Sequence, residues 1–75
     1  MRQELPVLKP KQVVAALGKA GFEVRRQTGS HVIMYKTSIR YPISIPLHPG
    51  DLPKGTLRAI IREAGLTIEE FLGLL

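Results

Sequence analysis

The sequence contains no cysteine and no long apolar run. Without cysteine, the chain has no disulfide, no thiolate metal ligand and no thiol nucleophile. A membrane-spanning helix needs roughly 20 apolar residues, and no segment approaches this length. The N-terminal residues 1–8 include Arg2, Glu4 and Pro6 and lack the apolar centre of a signal peptide. We therefore expect a cytoplasmic protein.

Acidic residues are scarce relative to basic ones. The 75 residues include 6 Asp and Glu against 11 Lys and Arg, a net charge of +5. In a small domain, a basic excess favours a polyanionic partner, either nucleic acid or an acidic protein. A chain of this length has room for one core, so we expect a single domain over residues 1–75.

The first periodic segment predicts a helix over residues 10–20. Apolar residues recur there at helical spacing, and Pro10 suits the first helical position. Gly21 suits a left-handed stop, after which Phe22 can fold back onto the last turn.

Three segments rich in β-forming residues follow, and they predict strands over residues 22–28, 31–36 and 41–47. In the first strand, Phe22 and Val24 are expected on one face, and the other face would carry Glu23, Arg25 and Gln27. The third strand contains two prolines, which cannot donate amide hydrogen bonds, so it should lie at a sheet edge.

The C-terminal third predicts two helices. Asp51 is expected to cap the first of them and Gly65 to end it. Thr67 and Glu70 have capping-box spacing for a short last helix. This order predicts an α+β fold, an α-β-β-β-α layer like that of double-stranded-RNA-binding domains, with a short C-terminal helix. The helices should cover one face of the sheet and leave the other open.

The sequence contains two histidines, and His31 opens the second strand. We expect Val32 and Met34 to face the helices, which places His31 on the open face with Ile33 and Tyr35. An imidazole can take or give a proton near neutral pH. His31 is therefore a candidate general base or acid, or a solvated histidine at a strand end.

Other catalytic arrangements are less well supported. A structural role is favoured for His48, which lies in a turn beside two prolines, although two histidines can divide acid and base roles. Isolated imidazoles without clustered carboxylates do not form a metal site. We expect no serine–histidine–acid triad, since Ser30 and His31, as neighbours in a strand, would point to opposite faces.

Lys54, Arg58 and Arg62 are spaced four residues apart and form a cationic stripe along the second predicted helix. Such a row can follow a phosphate backbone, or it can simply be a solvated helix face. Further positive charge is expected near the strands, from Arg25, Arg26, Lys36 and Arg40.

Four segments in this order resemble the HicA (YcfA-like) toxin family, and the similarity runs from about Leu8 to Leu75. They are Leu17 with Ala20-Gly21-Phe22; Gly29-Ser30-His31 followed by Val32, Ile33 and Tyr35; Ile45-Pro46-Leu47-His48; and Lys54-Gly55-Thr56-Leu57-Arg58, continuing through Ile60-Ile61 to Ala64-Gly65-Leu66.

The resemblance implies a small endoribonuclease that cleaves mRNA without a metal and arrests translation. It implies that His31, the histidine of the Gly-Ser-His motif, is catalytic. It also implies a HicB-type antitoxin that covers the active site. With this activity, we expect RNA to be contacted by Gly29, Ser30, Lys54, Arg58 and Arg62.

The simplest metal-free mechanism uses the 2′-hydroxyl of the RNA. Neutral His31 would take its proton while the oxygen attacks the adjacent phosphorus, and cationic side chains and the Gly29 amide would stabilise the phosphoryl oxygens. His48, water or a recycled His31 would protonate the leaving 5′-oxygen. The alternatives are a non-catalytic module that binds duplex RNA by shape and a domain that binds an acidic protein.

Overall fold

A computed structural model describes residues 5–75, and residues 1–4, on which part of the signal-peptide prediction rests, lie outside the described residues. The elements are α1 (Pro10–Lys19), β1 (Glu23–Gln27), β2 (His31–Tyr35), β3 (Ile43–Pro46), α2 (Lys54–Glu63) and α3 (Ile68–Leu72). The three strands form one antiparallel sheet in the order β1-β2-β3. The predicted α+β fold with its α-β-β-β-α order and short last helix is confirmed, as is the edge position of β3.

Helix α1 begins and ends as its sequence predicts. Pro10 occupies the first turn, and the Lys9 N–H donates a hydrogen bond to the Gln12 side chain at 2.8 Å. Gly21 has a φ of 97°, and the Phe22 N–H donates to the Leu17 carbonyl at 3.0 Å. This reversal closes the helix and buries the Phe22 ring against the core.

The core lies between the helices and one face of the sheet. Val32 and Met34 of β2 and Ile43 and Ile45 of β3 are buried on this face, as strand alternation requires. All buried side chains of residues 5–75 are apolar. Strand β1 is not covered in the same way, because all five of its residues are exposed.

A β-bulge in β1 changes the predicted arrangement of its side chains. Val24 pairs with Met34, but the next pair in register is Arg26 with Ile33, so Arg25 is an extra residue. Beyond this point the two faces are exchanged. Gln27 pairs with Val32 on the helix side, and its predicted place on the opposite face was wrong.

Helix α2 begins later than a cap at Asp51 requires, so that prediction was wrong. Pro53 precedes the helix, and its carbonyl accepts the Leu57 N–H at 3.0 Å. The reason is tertiary: Leu52 is buried, and its N–H donates to the Leu8 carbonyl at 2.8 Å. The chain is thereby held extended beside the start of α1 before it can turn into a helix.

The end of α2 and the start of α3 agree with their predicted signals. Gly65 has a φ of 76° and follows the last turn of α2. The Glu70 N–H donates to the Thr67 hydroxyl at 3.0 Å, and the Thr67 N–H donates to the Glu70 carboxylate at 2.8 Å. This reciprocal pair begins α3, whose Phe71 is fully buried in the core.

Candidate active site

His31 is the first residue of β2, and its side chain is exposed. Its neighbours Val32 and Met34 are buried under the helices, so alternation places His31, Ile33 and Tyr35 on the opposite, open face. The expectation that Val32 and Met34 face the helices is confirmed, a point that strand parity alone does not settle because both faces of β2 are largely apolar. The imidazole is therefore accessible to a large ligand on the open face.

The turn before His31 is organised by the side chain of Thr28. Its hydroxyl oxygen accepts hydrogen bonds from the Ser30 N–H at 3.3 Å and the His31 N–H at 3.0 Å. The Thr28 N–H donates to the His31 carbonyl at 2.8 Å, which closes the β1–β2 hairpin. Sequence reasoning missed Thr28, although a threonine beside Gly-Ser is typical of a turn that bonds its own backbone.

Ser30 contacts the imidazole directly: its Oγ lies 3.0 Å from Nδ1 of His31. The prediction that these two side chains point to opposite faces was wrong. Strand alternation does not apply to Ser30, because it lies in the turn and β2 begins only at His31. A hydroxyl can donate or accept, so this contact suits either neutral tautomer as well as the imidazolium. It orients the ring through Nδ1 and leaves Nε2 for a ligand.

Gly29 supplies a free backbone donor beside this pair. Its N–H makes no hydrogen bond to any other part of residues 5–75, and the residue is exposed. Its φ is not positive, and no atom lies within 4 Å of where a Cβ would stand. The fold therefore needs neither the conformational freedom nor the small size of this glycine, and the amide is available to an anion.

The β1 bulge brings two arginines to the same face as His31. Arg26 is opposite Ile33, and the Arg25 guanidinium lies 4.8 Å from the centre of the Tyr35 ring. Alternation alone predicts only Arg25 on this face. A simple alternating strand would place Arg26 on the same side as Val24, which is on the helix side of the sheet. The positive charge of Arg26 was the one feature of the sequence that argued against this position.

Two other cations expected near the strands do not join this face. The Lys36 ammonium lies 5.5 Å from the centre of the Phe22 ring, on the helix side. Arg40 lies over the ring of Tyr41 at 5.8 Å, in the β2–β3 connection. Both are at the end of β2 that is remote from His31.

The cationic stripe of α2 is exposed as expected, but it is not on the open face. Helix α2 packs through its apolar residues against the covered side of the sheet. Lys54 begins the helix, and Arg58 and Arg62 follow it by about 6 and 12 Å along the axis. Helix α2 and its stripe therefore lie on the side of the sheet opposite to the face that carries His31.

His48 lies just beyond β3, two residues after Pro46, the register partner of His31. It is exposed and lines a groove at the start of α1, together with Lys9, Pro10, Lys11, Gln12, Leu47 and Pro49. His48 is thus at the same end of the sheet as His31, beside the α1 groove.

Neither a metal cluster nor a membrane span is found in the part of the chain that the structure describes. No three histidine, aspartate or glutamate side chains there are grouped so that they could hold a metal ion. None of the described helices has the length and hydropathy needed to cross a bilayer.

Comparison with known families identifies a matching family model. The family model described as HicA toxin of bacterial toxin-antitoxin matches residues 10–66. The matched range runs from the start of α1 past the end of α2, and it includes the Gly29–His31 turn and the whole sheet. No curated protein sequence matches the chain.

Proposed function

The chain belongs to the HicA toxin family of bacterial toxin–antitoxin systems, and we propose that it is a metal-independent endoribonuclease that cleaves mRNA with His31 as its catalytic residue. The observation that carries this proposal is the exposed imidazole of His31, held through Nδ1 by Ser30 at 3.0 Å. The Arg25 and Arg26 side chains supply positive charge on the same face, and the exposed Gly29 amide lies in the turn that precedes His31.

The proposed first step is proton removal by Nε2 of His31. When Nδ1–H donates to the Ser30 hydroxyl, Nε2 carries the lone pair and takes the proton of an RNA 2′-hydroxyl. The 2′-oxygen then bonds to the adjacent phosphorus, and the bond from phosphorus to the 5′-oxygen breaks. The imidazolium that results keeps the same bond to Ser30. General-base catalysis of this kind contributes about 10²- to 10⁴-fold in rate.

The step also requires stabilisation of the charge on the phosphoryl group and protonation of the leaving oxygen. The Gly29 amide and the Arg26 side chain, which in the strand register is the nearer of the two arginines to His31, stabilise the negative charge that develops on the phosphoryl oxygens. The leaving 5′-oxygen takes its proton from the His31 imidazolium, from water or from His48. Lys54, Arg58 and Arg62 hold more distant parts of the RNA backbone through phosphate contacts.

The test compares two single-histidine variants in excess chelator, with RNA as substrate. We expect His31→Ala to keep the fold, because the side chain is exposed, and to lose cleavage. His48→Ala distinguishes the sources of the leaving-group proton: it should keep full activity if the imidazolium of His31 or water supplies that proton, and lose activity if His48 does. Intact protein should yield 2′,3′-cyclic phosphates and 5′-hydroxyls.

Two results would contradict the proposal: cleavage at a position that lacks the 2′-hydroxyl, or full activity of His31→Ala. Tight binding of duplex RNA without any cleavage would favour the alternative, a non-catalytic double-stranded-RNA-binding module.

Membership in this family implies an antitoxin partner. We propose that the partner is of the HicB type and covers the open face, where it keeps RNA from His31. Its contact surface is expected to be acidic, to match Arg25 and Arg26. Purified antitoxin should inhibit cleavage in proportion to its binding; a complex that cleaves RNA at the full rate would show that the partner binds elsewhere.

A further inference from the structure

The open face carries more than the proposed catalytic histidine. Since side chains that are opposite in an antiparallel register share a face, Arg26 lies beside Ile33, and the bulge residue Arg25 reaches the Tyr35 ring. Both Ile33 and Tyr35 are half-buried, so only the outer part of each side chain is accessible to a ligand. His31, Ile33 and Tyr35 thus form a row flanked by two guanidinium groups.

The row has dimensions that suit an extended nucleic-acid strand. At the usual rise of a β-strand, Ile33 lies about 7 Å and Tyr35 about 13 Å from His31 along β2. A strand whose cleaved phosphate is at His31 would therefore reach Tyr35 within a few nucleotides. Glu23, opposite Tyr35, brings a carboxylate to this far end of the face and limits how far phosphates can follow it.

The Arg25–Tyr35 pair has the chemistry of a base-stacking site. The guanidinium of Arg25 is planar and lies over the Tyr35 ring, 4.8 Å from its centre. A nucleobase can therefore stack on the outer side of the guanidinium or directly on the tyrosine ring. Arg26 and the apolar Ile33 lie between this pair and His31, where a phosphate and a ribose would pass. In duplex RNA the bases are stacked on each other and offer no free face to such a site.

We propose that Arg25, Arg26 and Tyr35 form a subsite that holds single-stranded RNA beside the position cleaved at His31, with a base stacked on the Arg25–Tyr35 pair. The proposal rests on the proposed function of His31 and names its substrate as unpaired RNA. The stacked base provides affinity, and the bulge completes the site by adding Arg26 to the face that carries Arg25.

Binding is measured with the His31→Ala protein and a short single-stranded RNA of mixed sequence, so that no cleavage occurs. We expect Tyr35→Leu and Arg25→Ala, each added to this protein, to weaken binding by roughly 5- to 100-fold. Tyr35→Phe keeps the aromatic face and should bind like its parent. Tyr41→Leu and Arg40→Ala are matched controls, because they change the other exposed arginine–tyrosine pair, outside this face.

A second readout separates stacking from any loss of folding. In NMR spectra of the His31→Ala protein, ring protons of Tyr35 should shift on addition of the oligonucleotide, and those of Tyr41 should not. Duplex RNA of the same sequence should bind more weakly than the single strand.

The proposal is overturned if Tyr35→Leu binds single-stranded RNA like its parent, or if duplex RNA binds more tightly. Loss of antitoxin binding in Arg25→Ala with unchanged RNA binding would assign the face to the partner and also overturn it. These results do not depend on catalysis: an intact protein that binds single strands through Tyr35 but never cleaves them would refute the proposed function and leave the subsite standing.

Discussion

At the scale of single residues, the contact between Ser30 and His31 distinguishes this histidine from a solvated one at a strand end. The hydroxyl carries no charge, so its role in the proposed mechanism is to orient the ring and accept a hydrogen bond from Nδ1–H. The hydroxyl oxygen of Thr28 holds both residues in place by accepting hydrogen bonds from their backbone N–H groups. A small turn thus holds the proposed base.

A substitution at Ser30 tests this positioning role. Ser30→Ala removes the bond to Nδ1, and we expect kcat to fall about 5- to 13-fold with little change in KM, since a single neutral hydrogen bond contributes about 1–1.5 kcal/mol. Ser30→Thr keeps a hydroxyl and should recover most of the rate. If Ser30→Ala cleaves RNA as fast as the intact protein, the contact has no part in the reaction.

At the scale of elements, two glycines have different roles in α1, one within the helix and one just after its end. Gly18 lies inside the helix, with open space where a Cβ would stand. Gly21 has a φ of 97°, a backbone angle that residues with a side chain rarely adopt. The same substitution should therefore have opposite effects at the two positions.

We expect Gly18→Ala to raise the free energy of unfolding by about 0.5–1 kcal/mol, because alanine is the better helix former. Gly21→Ala should lower it by about 1–2 kcal/mol, the strain of a left-handed residue with a Cβ. Urea denaturation of both variants measures the difference. Equal effects of the same sign would mean that α1 does not end at Gly21.

The cationic stripe of α2 is also a feature at the scale of elements. Because it does not lie on the open face, its contribution to RNA binding should depend on the length of the RNA. A short RNA on the open face should not reach Arg58, whereas a long RNA can pass around the sheet. With a long RNA, we expect Arg58→Glu to reduce the slope of log affinity against log salt by about 1, as loss of one phosphate contact requires. Titrations at several salt concentrations measure this slope, and an unchanged slope would remove the stripe from the RNA surface.

At the scale of the whole molecule, one small core contains side chains from the three helices and from β2 and β3, and α3 closes it although it lies beyond the residues matched by the family model. Phe71 is fully buried there, whereas Leu75 is 49 % exposed. A domain of this size has a total stability of roughly 5–10 kcal/mol, so the loss of one large core side chain is a large fraction of it.

We expect Phe71→Ala to lower the free energy of unfolding by about 3–5 kcal/mol, through lost burial and the cavity that remains. Leu75→Ala, the exposed control in the same segment, should change it by less than about 0.5 kcal/mol. Thermal or urea unfolding compares the two, and a small effect of Phe71→Ala would mean that α3 is dispensable for the fold.

Much of this architecture follows from local signals in the sequence. The stops at Gly21 and Gly65 and the capping box of Thr67 and Glu70 all appear where they were predicted. The alternation of β2 was also predictable, although both of its faces are largely apolar and only the packing of the helices shows which one is covered. Each of these features depends on residues within a turn or two of one another, so backbone geometry and side-chain chemistry determine them before any long-range contact forms.

The rest was decided by tertiary structure. The bulge that adds Arg26 to the face of His31 exists only in the register between β1 and β2. The start of α2 is set by the bond from Leu52 to Leu8, across more than half of the chain. The first depends on the register between two neighbouring strands and the second on a contact between distant segments, and no pattern within a single segment contains that information. The sequence by itself therefore determined the elements and their ends, while packing determined which face of β2 is covered and which charges surround His31.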